Sequence, residues 1–178
     1  SGDTVVFTFL FPILMLGLFA VAFGAEGDMQ PAPGLPPVPV AQMYLPAMLA
    51  AGLLLSGFQN LAIDIAVDRS EGVLKRLGAT PLSPVSYFLG KIVQVGVTGV
   101  AQAAVLLGFA AVVLQVPLPT DPAKWFTFAG VFVLGITGSA LLGVAVSSVP
   151  RSTRGAVALV IPVGLVVQFI SGVYFQFY

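Results

Sequence analysis

An all-α, polytopic bundle of membrane-spanning helices is the fold class that three features of this 178-residue chain predict. Its composition is 58% hydrophobic and 8% charged, with a mean hydropathy of +1.05. A soluble domain carries roughly 25% charged residues. The apolar residues run in stretches of about 20 or more, the length a helix needs to cross a bilayer. Short segments rich in proline or charge separate those stretches. The alternation of apolar and polar residues that marks a transmembrane barrel is absent.

Five spans are expected in a single transmembrane domain, at about 4–24, 43–67, 86–116, 125–149 and 155–175. Ala20-Val21-Ala22 in the first imitates a signal-peptide cleavage site. However, the residues ahead of it carry Asp3 and no Lys or Arg, and the apolar run is too long for an ordinary signal, so it reads as a true span. A proline-rich loop, Pro31 to Pro39, follows, and such a stretch belongs outside the hydrocarbon. The second span ends at a charged loop, 68–85. The third is long enough to tilt or to project past the bilayer. Pro117, Pro119 and Pro122 mark the next loop. Arg69, Lys75, Arg76, Lys91, Arg151 and Arg154 gather on one side of the membrane. Lys124 stands on the other, with Glu26, Asp28 and Asp121. The basic side is expected to be cytoplasmic.

Composition also excludes chemistry. With net charge zero there is no electrostatic case for a nucleic-acid partner. Without Cys or His there are no disulfides, no thiolate or imidazole metal sites, and no mechanism built on either residue. No glycine-rich loop leads into the Lys-Ser/Thr of a phosphate site. The seven acidic residues are scattered, so no catalytic pair and no metal site is nominated.

Polar residues inside the spans are costly in hydrocarbon and therefore informative. Gly52, Ser56, Asn60, Asp64 and Asp68 recur every four residues in the second span. Ser56, Asn60 and Asp64 share a face, with Phe58 and Gln59 beside it. The face either lines a cavity or hydrogen-bonds to another helix. Asp64, Asp68 and Arg69 are read as structural charges, with Asp64 paired to Arg69 or to a basic residue of a neighbouring helix. In the third span Lys91, Gln94, Thr98 and Gln102 read as glue between helices. In the fourth, Gly135, Ser139, Gly143 and Ser147 form a seam for close packing. Gly164, Gln168 and Ser171 share a face of the fifth, where Pro162 removes a backbone donor. The candidates for a substrate pathway are Ser56, Phe58, Gln59, Asn60, Gln168 and Ser171.

The charged loop carries the most specific pattern. Five of the chain's fourteen charges fall between Asp68 and Pro84. Glu71 precedes Lys75 by four, the favourable order on a helix, and Val73, Leu74 and Leu77 give an apolar face. Pro81 and Pro84 end any helix. An amphipathic helix of about two turns is expected over Glu71–Leu77. It is too short to hold alone, so its apolar face must cover something. A plain connecting loop is the simpler alternative.

The run from Arg69 to Pro81, followed by Leu89-Gly90-Lys91, resembles the cytoplasmic loop of type-2 ABC exporter permeases. Phe9-Leu10-Phe11-Pro12, Tyr44-Leu45-Pro46, Asn60-Leu61-Ala62-Ile63, Leu141 to Arg151, and Phe169 to Phe175 resemble other segments of that family in the same order. Gly78 stands where the family often has a basic residue, and Gln176 where it often has proline. The resemblance is nearest to bacterial drug, antibiotic and lipid exporters of the daunorubicin-permease kind. It implies a permease subunit in the bacterial cytoplasmic (plasma) membrane, surrounded by lipid and paired with a second permease subunit in a homo- or heterodimer. It also implies a separate ABC ATPase subunit that binds ATP and Mg, with no cofactor in this chain. Glu71, Val73, Leu74, Lys75, Arg76 and Leu77 would contact that ATPase. Six spans and an N-terminal amphipathic helix are usual in the family, so a sixth span and such a helix are expected outside this sequence. Two other readings stand: an exporter of a polysaccharide or glycolipid precursor, and a lipid-modifying membrane enzyme. The enzyme would need a catalytic cluster that only Asp64, Asp68 and their neighbours could supply.

The charge asymmetry predicts topology. Single cysteines placed in this cysteine-free chain within 68–85 or 150–154 should resist a membrane-impermeant maleimide in intact cells. Cysteines within 25–42 or 117–124 should react. Labelling of the 68–85 loop from outside would reverse the orientation.

Overall fold

The computed structural model describes residues 2–81 and 83–172, with side chains from residue 6 onward. Positions 173–175 of the fifth predicted span, and the rest of the segment to Phe175, lie outside the described residues. The fold is all-helical: α1 (Gly2–Gly24), α2 (Val40–Leu53), a π-helical segment (Leu54–Asn60), α3 (Leu61–Ser70), α4 (Val73–Leu77), α5 (Pro84–Val112), α6 (Pro122–Ser147) and α7 (Thr153–Ile170). Among the described residues the β structure is one isolated bridge, Met29 to Val38. Among the described residues five helical stretches are long and apolar enough to cross a membrane: Val6–Gly24, Val40–Ser70, Pro84–Val112, Pro122–Val146 and Thr153–Ile170.

Local chemistry sets the ends. Asp121 Oδ1 accepts the Ala123 amide at 2.9 Å, with Pro122 at the first helical position. Ser83 Oγ accepts the Ser86 amide at 3.3 Å ahead of α5, which also opens on a proline. Ser152 Oγ accepts the Gly155 amide at 3.1 Å. Three spans thus start on a side-chain cap, two of them with proline where its missing N–H costs nothing. For this reason α6 begins three residues before the predicted Trp125. In contrast, α5 stops at Val112, short of the predicted 116. Pro117 disfavours helical backbone at Val116. The chain instead turns through Gln115, at φ 53°, and Val116 N donates to Ala110 O at 3.0 Å.

The chain forms two compact units, each built from parts of the same long helices. One holds residues up to 52, 101–131 and those from 168. Its core is Leu16, Ala41, Leu45, Met48, Ala51, Leu106, Ala110 and Val116. Gln102 is buried there, and its Nε2 donates to the Thr8 carbonyl at 2.7 Å. The glue expected of this residue thus goes to backbone. The loop between α1 and α2 is tied by the reciprocal Met29–Val38 bonds of 2.9 and 2.8 Å. Trp125 Nε1 donates to Pro119 O at 2.8 Å.

The other unit holds 53–100 and 132–167. It is organised around the π segment, where Leu55, Ser56, Gly57, Phe58 and Gln59 are buried in succession. Burial all round is what a helix shows when neighbours flank it on several sides. Phe58 packs with Ala62 and Val160, with Leu54, Ile63 and Val146 around them. The seam predicted on α6 is here: Ser139, Gly143 and Ser147 are buried. A Cβ on Gly143 would lie 2.7 Å from the Gly57 oxygen and 3.0 Å from the Phe58 oxygen. Those atoms are backbone and cannot swing away. Ser139 lies against Gly57, and the Gln59 amide lies against Gly164 of α7.

Gly143→Ala should therefore cost about 1–3 kcal/mol, the range for overpacking a well-filled core. Gly138→Ala, where no atom stands within 4 Å of the new Cβ, should be neutral. Thermal unfolding of the purified variants in one detergent checks the pair, and equal midpoints would refute the seam.

Candidate functional site

The charged loop leaves the second span at Ser70, whose Oγ donates to Val67 O at 2.9 Å. Glu71 is the C-cap of α3, and its amide bonds Val67 O. Gly72 follows at φ 75°, a left-handed turn that disfavours any residue with a Cβ. Only then does α4 begin, at Val73. This corrects the expectation of one helix over Glu71–Leu77. Glu71 ends the preceding helix, α4 is five residues long, and Glu71 and Lys75 are not an intrahelical pair. The cause is Gly72, which turns the backbone between them. Leu77 O accepts the Thr80 hydroxyl at 2.7 Å, closing the far end.

Within α4, Val73, Leu74 and Leu77 are half-buried, whereas Lys75 and Arg76 are exposed, as is Glu71. Leu74 and Leu77 line a cleft of about 560 Å³ with Pro84, Ser86, Tyr87 and Phe88. The apolar face of the short helix is thus directed at the start of α5, and the charged residues point away from it.

Both ends of the loop are clamped. Lys91 of α5 places Nζ 3.0 Å from Asp68 Oδ2 and 3.9 Å from Asp64 Oδ2. Tyr87 Oη donates to Asp68 Oδ2 at 2.6 Å, and Lys91 Nζ sits 5.7 Å from the Tyr87 ring centroid. Asp64 is therefore paired to a neighbouring helix, one of the two partners expected. Arg69, the other, instead reaches the Ser148 and Pro150 carbonyls at 3.5 Å each. Ser70 Oγ and Thr153 Oγ1 meet at 3.0 Å. The end of α3 is tied to α5 on one side and to the α6–α7 turn on the other. Tyr87 is the functional candidate that sequence reasoning missed. Its signal is position: it lies one turn before Lys91, on the same face of α5.

The pathway candidates are dispersed. Ser56, Phe58 and Gln59 are buried in the π segment and Asn60 is half-buried at its end. Phe58 belongs to a packed core cluster, and Gln59 lies against Gly164. Gln168 is buried and Ser171 is exposed, and both fall in the other compact unit.

The model of the ABC-2 family transporter protein matches residues 36–177. The chain belongs to the ABC-2 transporter family. No curated protein and no solved structure matches it. Membership, with five membrane-length helices, makes this a multi-pass membrane protein and a type-2 ABC permease rather than an enzyme. The charged loop of this ABC-2 permease lies inside the matched region.

Gly72→Ala should strain the turn between α3 and α4 by about 1–2 kcal/mol, the cost of left-handed backbone for a residue with a Cβ. Trypsin should then cut faster at Lys75 and Arg76 while far-ultraviolet circular dichroism stays unchanged. Cleavage at the wild-type rate would show that the loop tolerates the substitution.

Proposed function

We propose that this permease is the membrane-spanning half of an ATP-driven exporter in the bacterial cytoplasmic membrane. It works beside a second permease subunit and carries an amphipathic substrate, a drug, antibiotic or lipid, outward. ATP and Mg belong to a separate ABC ATPase subunit, which docks on the cytoplasmic loop. One observation carries the reading. A short helix with exposed Lys75 and Arg76, next to exposed Glu71, hangs between two spans that are clamped to each other at Asp68–Lys91, the first of them also tied to α7 at Ser70–Thr153. A solvated connector needs no such clamps, whereas a segment that passes force from a partner to the spans does.

The loop divides the labour. Its apolar residues Leu74 and Leu77 face the cleft beside α5, so the charged residues remain for the ATPase rim, where charge sets register and approach. Val73 is half-buried between these two roles. Closure of the ATPases on ATP shifts the loop, and the bound nucleotide biases the permease between inward- and outward-open states. Buried Ser56 and Gln59, with half-buried Asn60, sit in a part of the second span whose hydrogen-bonding groups suit a substrate with a polar head and an apolar body.

Exposed ion pairs contribute about 0.2–1 kcal/mol each, so Glu71→Lys and Arg76→Glu should each weaken ATPase association by a factor of about 1.4 to 5. Substrate-stimulated ATP hydrolysis should fall in parallel while the permease inserts normally. Co-purification and ATPase assays in proteoliposomes check this. Full association and stimulation in both variants would remove the loop from the docking surface.

A further inference from the structure

We infer that Asp64, Asp68, Tyr87 and Lys91 form a two-position ionic latch that sets how α3 and α5 register when the loop between them is displaced. The inference rests on the exporter reading for its purpose and on side-chain geometry for its existence. Lys91 is one cation facing two carboxylates. It stands 3.0 Å from Asp68 and 3.9 Å from Asp64. The two acids are four residues apart on one face of α3, a rise of about 6 Å. The ammonium already lies within ion-pair reach of both, so a modest slide of the first turns of α5 along α3 shifts its closer contact from Asp68 to Asp64.

The arrangement keeps the handover cheap. Asp68 Oδ2 receives the Tyr87 hydroxyl at 2.6 Å as well as the lysine. When Lys91 transfers to Asp64, Asp68 keeps a strong donor and is not left as a bare carboxylate near the membrane. The Tyr87 ring, 5.7 Å from Nζ, favours the cation along the way. Lys91 and Asp68 are mostly shielded, with side chains 17% and 23% exposed, whereas Asp64 is 49% exposed. The Asp68 position is thus the stronger of two unequal wells, because screening weakens an exposed pair.

The opposite side of α3 has its own ties. Arg69 and Ser70 hold it to the α6–α7 turn. A push on residues 71–83 is therefore resolved on the α5 side, where the latch offers a second resting position. Tyr87 and Lys91 are positioning residues in this scheme. They touch no substrate and act through the spans.

Two measurements test it. In proteoliposomes with the ATPase and a transported dye, Asp64→Asn should leave ATPase binding intact. It should also lower molecules moved per ATP hydrolysed by about threefold or more, the scale of coupling between contacting residues. Lys91→Arg should keep the ratio near wild type, and Lys91→Met should lose it. Separately, the permease alone in nanodiscs can carry nitroxides at Ala79→Cys and Arg151→Cys. Two distance populations are expected. Asp64→Asn should abolish the minor one, and Asp68→Asn should enrich it. A single population insensitive to both substitutions would overturn the latch. So would an unchanged transport ratio in Asp64→Asn and Lys91→Met with the ATPase bound. If the wild-type permease binds no ATPase and moves no dye, yet shows two populations that respond as stated, the latch survives and the exporter reading fails.

Discussion

Every backbone N–H and C=O of a span must find its partner inside the protein, because hydrocarbon offers none. Much else in this permease follows from that constraint. It makes the spans helical and confines proline-rich chain to the loops. It also explains why the polar side chains turn to backbone. Gln102 donates to the Thr8 carbonyl, Ser139 to Gly135 and Ile136, Ser147 to Val144 and Thr98 to Gln94. The hydroxyls bond within their own helices, which adds little attraction between helices but removes the cost of their burial, whereas Gln102 joins α5 to α1. Where hydroxyls are satisfied internally, close approach brings the helices together, and small residues decide where that can occur.

The π segment shows the consequence. Its wider backbone would leave a looser fit if ordinary side chains faced it. Here α6 presents Gly143 directly to the Gly57 and Phe58 carbonyls, and α7 presents Gly164 to Gln59. Glycine at those two places lets backbone lie against the widened turn without a void, and the interior keeps its density.

How much was legible in the sequence depends on the length scale of the signal. Long apolar runs are read by composition, so the all-helical membrane fold and the number of spans came through plainly. The seam on α6 was visible because small residues every four positions have few other uses in a span. The π segment was not. Leu54 to Asn60 has the same residue types as an α-helix, and the glycines that pack against its widened turn, Gly143 and Gly164, are far away in sequence. The pairing of Asp64 was half legible. An acid within a span calls for a cation, but choosing between Arg69 and Lys91 requires knowing that Arg69 turns towards the 148–150 carbonyls. The amphipathic loop helix was seen and drawn too long, because the pattern of charges continues smoothly across Gly72 while the backbone does not.

That last point bears on how force can pass through the inner part of the bundle. A helix continuous from Glu71 to Leu77 would swing as one lever. With the chain turned at Gly72, α4 is a separate short piece. Its apolar side meets the first turn of α5 in the cleft, the Thr80 hydroxyl closes its last turn at Leu77 O, and the spans on either side of it are joined by Tyr87 and Asp68. Displacing it must move the ends of α3 and α5, because a five-residue helix has too few bonds of its own to absorb a load. Further along α3 the π segment is locked against α6 by backbone-to-backbone contact at Gly143. Sliding those two helices by a residue would put a side chain where only hydrogen fits. The freedom left to this part of the permease is therefore concentrated where α3 meets α5, at the contact made by two acids, one lysine and a tyrosine.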